Sequence, residues 1–232
     1  MEYRHEIKFL VTDQQLLLIN FRLSSFMKRD AHQAGDYYTI TSLYFDDHTD
    51  RFLKENLNGE DYRVKYRIRL YNNSPNTIHL EKKSKIHGMT RKEIISITLD
   101  ECISIMNGNI SIRDPDPKDN KVSLYAEMIL NGVFPKIVVE YDRSAFINRV
   151  GNVRITFDKN IRATTKINEF LKPRIYTHPI LPTGYHILEI KYDELLPSYI
   201  YDLLDDGNLQ QTAFSKYSYA REMEELYNDR IY

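Results

Sequence analysis

Cysteine is all but missing: Cys102 is the only one in 232 residues, so the chain cannot form an internal disulfide. Long apolar runs are missing too, since stretches such as LLLI at 16–19 fall far short of a membrane span. The opening MEYRHEIKF places charges where a secretory leader needs an apolar stretch. These absences point to a reduced, cytoplasmic protein, which a membrane-bound partner could still recruit. There is no excess of positive charge either, because 32 Lys and Arg stand against 33 Asp and Glu, a formal net charge of −1. General nucleic-acid binders carry a basic balance, so no nucleic-acid partner is expected and any basic site must come from local arrangement. A Gly-rich Walker loop is absent, which excludes that mode of holding ATP. None of the seven histidines forms a close metal pair, and spacing alone supports no Ser–His–Asp arrangement. No repeat, low-complexity tract or linker-like change of composition divides the chain, so one domain over 1–232 is expected.

What is present is a strand-rich pattern with helices between. Hydrophobic residues make up 42% of the chain, enough for a sizeable core. Residues 4–11 alternate and predict a strand, after which Thr12 and Asp13 offer N-caps to a helix over 14–28. Its Leu16, Ile19, Leu23, Phe26 and Met27 recur at helical spacing. A strand at 38–46 and a short helix from Arg51 to Leu57 follow. Strands at 61–71 and 77–86 are joined by NNSPN, which reads as a hairpin turn, and a strand at 91–98 follows HGMT. Helices are expected at 99–107 and 120–131, around the turn-rich DPDPKDN. Cys102, at helical spacing with Ile105 and Met106, is expected in a core. Strands at 135–147 and 152–158 flank NRVGN, 160–184 reads as irregular, and a strand at 185–193 precedes helices near 197–206 and 214–229. The 18 tyrosines mostly alternate within strands, which favours β-packing over stacking on nucleic-acid bases. The fold class is α+β, with strands that are antiparallel by their hairpin turns.

Within these strands charge is segregated by face. Side chains alternate with period two, so 61–71 sets Arg63, Lys65, Arg67 and Arg69 against Val64, Tyr66, Ile68 and Leu70. The same division recurs at Glu6 and Lys8 against Ile7 and Phe9, and at Glu81, Lys83 and Lys85 against Ile78 and Leu80. It recurs again at Arg154, Thr156 and Asp158 against Val153, Ile155 and Phe157, and at Glu189 and Lys191 against Leu188 and Ile190. An antiparallel β-barrel answers this pattern, with helices packed outside on the apolar faces and the charged faces turned into a tunnel. Like charges so close repel unless an anion fills the gap, and a chain of phosphates suits Arg and Lys together. Carboxylates among them could hold a divalent metal against phosphate oxygens.

At these residues the chain resembles the VTC domain, the polyphosphate polymerase domain of the vacuolar transporter chaperone, within the triphosphate tunnel metalloenzymes (CYTH-like). The resemblance rests on an ordered set: EIKFLV at 6–11, LYFDD at 43–47, YRIRLY at 66–71, LEKKSK at 80–85, YDRSAF at 141–146, VRITFD at 153–158, LEIKYD at 188–193 and FSKYSYA at 214–220. It implies phosphate and nucleotide binding by Lys8, Arg67, Arg69, Lys83, Arg143, Arg154 and Lys216, with Arg67, Arg69, Arg154 and Lys216 in the catalytic role. Within EKKSK, Lys83 is taken rather than Lys82 because it shares a face with Glu81. Glu189 matches the family's metal-binding glutamate, with Glu6 and Glu81 as supporting ligands for Mn²⁺ or Mg²⁺. The implied reaction is transfer of the γ-phosphoryl group of ATP to growing polyphosphate. Arg4 stands where hydrolytic relatives open on a glutamate, which favours the polymerase over a hydrolase of inorganic triphosphate or nucleoside triphosphates. A module that binds polyphosphate without turnover is the third reading, and the regulatory domain and membrane helices of the eukaryotic complex are absent from these residues.

Overall fold

The computed structural model describes residues 4–31, 33, 35–87, 89–112, 119–205 and 207–229. In chain order the first elements are β1 (His5–Thr12), α1 (Asp13–Phe26), β2 (Lys28–Arg29), β3 (Tyr38–Asp46) and α2 (Arg51–Leu57). Next come β4 (Arg63–Tyr71), β5 (Ser74–Ile86), β6 (Met89–Ile97), α3 (Leu99–Met106) and α4 (Asn120–Leu130). The chain continues through β7 (Phe134–Asn148), β8 (Val153–Thr164), β9 (His178–Pro179) and β10 (Tyr185–Tyr192), then α5 (Ser198–Leu204), β11 (Gln210–Gln211) and α6 (Lys216–Asp229). The fold is α+β, and its paired strands run antiparallel.

Two compact units emerge. The first comprises Met1–Thr39, Glu140–Arg162 and Pro179–Ser215. Its strands follow the order β11-β1-β10-β8-β7, with β2 on β7 and β9 on β8. One face of this sheet buries Val11, Phe146, Val153, Ile155, Phe157, Leu188 and Ile190 against Leu16, Ile19 and Leu23 of α1 and Ile200 and Leu204 of α5. Helix α1 starts at a capping box in which Thr12 and Gln15 satisfy each other's backbone donors. It ends one residue before the expected apolar stripe does: Met27 is buried, but Phe26 turns outward.

The second unit comprises Ile40–Val139, Ala163–His178 and Lys216–Tyr232. Its strands follow β3-β4-β5-β6. Val64, Tyr66, Ile68 and Leu70 of β4 and Ile78 and Leu80 of β5 pack against Cys102 and Ile105 of α3 and Leu124, Tyr125 and Met128 of α4. Each such side chain taken from water is worth about 1.5–3 kcal/mol. In both units helices cover the apolar strand faces, as the alternation predicts. Among the described residues the hydrogen-bonded strand order ends at β11 and at β6, which are not paired with each other.

Three local expectations shift. The hairpin turn is Asn72–Asn73 alone, both at positive φ, and β5 starts at Ser74 rather than 77. Two asparagines supply the left-handed pair that a tight two-residue turn needs. β8 runs on to Thr164, past Asn160 at φ 51, so the irregular stretch begins later than 160. DPDPKDN falls mostly at 114–118, outside the described residues.

Candidate phosphate-binding face and acid pair

In the second unit, strand register builds the site. Lys65 lies directly opposite Lys83, and Lys83 directly opposite Lys92, a row of three cations across β4, β5 and β6. Like charges in such positions destabilise a sheet unless something neutralises them. The neighbouring rows read Arg63–Lys85–Thr90, Arg67–Glu81–Ile94 and Arg69–His79–Ser96. Glu81 is the one acid among these registered positions, and it is nearly fully buried.

Three cations converge on that acid. Arg67 donates to Glu81 Oε2 through Nε and approaches it through a second nitrogen, both at 2.6 Å. Arg69 stands 3.8 Å from the same oxygen, and Lys92 Nζ donates to Oε1 at 2.7 Å. Burial by itself would raise the Glu81 carboxyl, but Arg67, Arg69 and Lys92 outweigh it and hold it well below the usual carboxylate range. Burial lowers Lys92 to about 8 even with Glu81 beside it. On the β3 side, Tyr44 lies opposite Arg67 and Ser42 opposite Arg69, and each hydroxyl accepts from its arginine. Lys216, at the start of α6, acts electrostatically on Tyr44. That end of α6 is fixed by Tyr217, which donates to Asp46 at 2.5 Å, and by Arg221, which bonds Asp50 at 2.9 Å.

Lys82 takes the other face of β5, where it pairs with Glu127 of α4 beside the Tyr66 hydroxyl. Lys83 therefore shares the face of Glu81, Arg67 and Lys65, as the sequence suggests. Lys92 belongs to this face and is not among the sequence-derived candidates.

The first unit carries a different balance. Lys8 lies opposite Glu189 and Glu6 opposite Lys191 on β1 and β10. Lys8 Nζ is 3.0 Å from Glu6, and Lys191 is 3.2 Å from Glu189. Arg143 forms a bidentate pair with the fully buried Asp158, at 2.6 and 2.8 Å, and comes within 3.6 Å of Glu189. Arg154 pairs with Asp30 at 2.5 Å and donates to the Tyr38 hydroxyl at 3.3 Å. Burial would raise Glu189, yet Lys191, Lys8, Arg143 and a hydrogen bond with Glu6 hold its carboxyl well below the usual range. Arg4 pairs with Asp193 at 2.9 Å.

Whether these groups suit a divalent metal can be judged from the donors. Glu6 and Glu189 bring hard carboxylate oxygens together from adjacent strands. Thr156, opposite Glu189, buries a hydroxyl with no hydrogen-bond partner among the described residues. This set fits a small hard cation such as Mg²⁺ or Mn²⁺, which keeps water and phosphate oxygens for its other positions. No cluster of three or more His, Cys, Asp or Glu ligands forms among the described residues. Glu81 has no second carboxylate opposite it, since its register partners are Arg67 and Ile94.

Among the described residues no helix is long and apolar enough to cross a membrane. A family model described as "VTC domain" matches residues 3–224. Among solved structures, the PH1819 protein from Pyrococcus horikoshii OT3 superposes with a TM-score of 0.50 at 13% identity, over 95% of this chain and 98% of that one. That likeness is one of fold. The PH1012 protein of the same organism gives 0.45 at 14% identity, over 90% and 94% of the two chains. A search of curated proteins finds no match.

Proposed function

This chain belongs to the VTC domain family, and from that premise we propose that it is a polyphosphate polymerase acting in the cytoplasm. It moves the γ-phosphoryl group of ATP onto the end of an inorganic polyphosphate chain. The observation that carries the reading is the Lys65–Lys83–Lys92 row beside Arg67 and Arg69 on one face of β4, β5 and β6. Phosphoryl transfer asks a protein for positioning and charge neutralisation more than for covalent chemistry. Arg67 and Arg69, held in a fixed fork by Glu81, bind phosphate oxygens; Lys83, Lys92 and Lys216 add point charges. Arg143, Arg154 and Lys8 are further phosphate ligands, each pre-set by an acid partner.

In the transfer, the bond from the γ-phosphorus to its bridging oxygen breaks and ADP leaves with that electron pair. A terminal oxygen of polyphosphate forms the new bond. That oxygen is already ionised, so no general base is required. Glu189, with Glu6, would hold the divalent metal, which supplies charge neutralisation at phosphate oxygens when bound. Glu81 reads better as the counter-ion of the arginines than as a metal ligand, since three cations converge on it and no second carboxylate stands opposite it as Glu6 stands beside Glu189. A membrane-bound partner that receives the product is consistent with this role.

The test is incubation of purified protein with ATP and Mn²⁺, followed by electrophoresis stained for polyphosphate. A ladder of long chains that disappears in Glu189→Ala is the expected result, and Arg67→Ala should lose polyphosphate binding. Rapid phosphate release from inorganic triphosphate without chain growth would replace the polymerase with a triphosphatase. Bound polyphosphate with neither activity would leave a binding module.

A further inference from the structure

Tyr44 is a buried group for which phosphate binding as described has no use. It is 4% exposed, and its hydroxyl accepts from Arg67 at 3.2 Å while Arg67 keeps its other contacts on Glu81. Its ring stacks on Tyr217 with centroids 5.4 Å apart. Tyr217 is pinned in turn, donating to Asp46 and accepting from Arg221 at 3.1 Å, so the Tyr44 ring has little room to swing away. Arg67 and Arg69 of β4 and Lys216 of α6 face the phenol, with Ser42 and Asp46 on its own strand. Glu81 of β5 and Lys92 of β6 stand beyond Arg67.

We propose that Tyr44 is a positioning residue for the phosphate-binding arginines: its hydroxyl oxygen holds the Arg67 guanidinium in place while no anion is bound, and a bound phosphate chain takes over part of that role. The inference rests on the reading of this face as a phosphate site. Burial raises a phenol, but here Arg67, Arg69, the hydrogen bond from Arg67 and Lys216 together outweigh burial and bring Tyr44 below the ordinary tyrosine range. A bound triphosphate neutralises those cations and so removes the cause of the lowering. Above the pH at which Tyr44 ionises, binding therefore returns one proton from solvent to the phenol, and nothing else is consumed. Binding is thereby linked to proton uptake, and affinity falls as pH rises through the titration of Tyr44, by up to about tenfold per pH unit.

Near-ultraviolet titration of tyrosinate tests this directly. In the wild type, one tyrosine should ionise ahead of the ordinary range. That step should vanish in Tyr44→Phe, move upward in Arg67→Met, and move upward when inorganic triphosphate is added. Calorimetry on the same proteins should show Tyr44→Phe binding triphosphate on the order of tenfold more weakly, from the lost bond to a charged partner. The variant should also show a flatter fall of affinity with pH, whereas a packing role alone would weaken binding equally at every pH. An early step that persists in Tyr44→Phe overturns the proposal, as does one that stays in place while triphosphate binds. If calorimetry finds no triphosphate binding to the wild type, the phosphate-site reading fails, and the proposal with it.

Discussion

Lys92 shows how a single side chain can belong to a site and escape the sequence. It sits on β6, where Thr90, Lys92, Ile94 and Ser96 share one face and Arg91, Glu93, Ile95 and Ile97 the other. The adjacent Ile94 and Ile95 spoil the alternation, so neither face reads as polar. On β4 and β5 the alternation is clean, and Arg67, Arg69 and Lys83 were legible for that reason. Because burial lowers Lys92 to about 8, it is charged below that pH and loses its charge above it. Triphosphate affinity should therefore decline as pH is raised through about 8, and Lys92→Arg, which stays charged, should decline less when both are measured by calorimetry. Stability runs the other way. The unfolded chain binds this proton more tightly than the folded one, so the lysine's contribution improves from about pH 8 toward the ordinary lysine range. Cys102 was legible as a core residue, and it is fully buried with its thiol pushed up to about 12. The native protein should resist alkylation at Cys102, and denaturant should make it react, as mass spectrometry of the labelled chain would show.

At the scale of elements, strand and helix identities followed from periodicity, while their ends depended on contacts that no local pattern records. Helix α2 is an example. Its N-cap position, Asp50, makes no side-chain cap, and Asp46 instead accepts from the backbone of Phe52 and Leu53 at 3.0 Å. A cap supplied from the end of β3 has no signature at the helix start. The β7–β8 turn, by contrast, was visible in NRVGN, and the structure gives the reason for its glycine. Gly151 has φ +70, and a Cβ there would lie 2.6 Å from the Leu195 carbonyl oxygen and 3.4 Å from Pro197. Both the left-handed backbone and the close approach exclude a side chain. Gly151→Ala should lower unfolding stability by more than about 1 kcal/mol in chemical denaturation. Gly108→Ala is a useful control, since Gly108 has a similar φ of +78 but nothing within 4 Å, and so should cost less.

For the molecule as a whole, the formal net charge of −1 conceals how unevenly charge is spread. In the first unit Lys8 has Glu6, Arg143 has Asp158 and Arg154 has Asp30 within reach. In the second, Glu81 serves Arg67, Arg69 and Lys92 together, and the row continues through Lys65 and Lys83. Composition cannot reveal this, because the acids that balance the total lie elsewhere in the sequence. Two cations of the second unit are also recessed: the Arg67 and Arg69 side chains are 18% and 7% exposed. A thin, flexible phosphate chain can reach such groups, whereas a duplex presents its phosphates on a wide and rigid cylinder. Inorganic triphosphate and polyphosphate should therefore displace a fluorescent polyphosphate from the protein at low salt, and duplex DNA at equal phosphate concentration should not. Raising ionic strength should weaken polyphosphate binding only partly, since recessed charges are screened less than exposed ones. Effective competition by DNA, together with full loss of binding in moderate salt, would mean that exposed lysines rather than the Arg67–Arg69 face hold the polyanion.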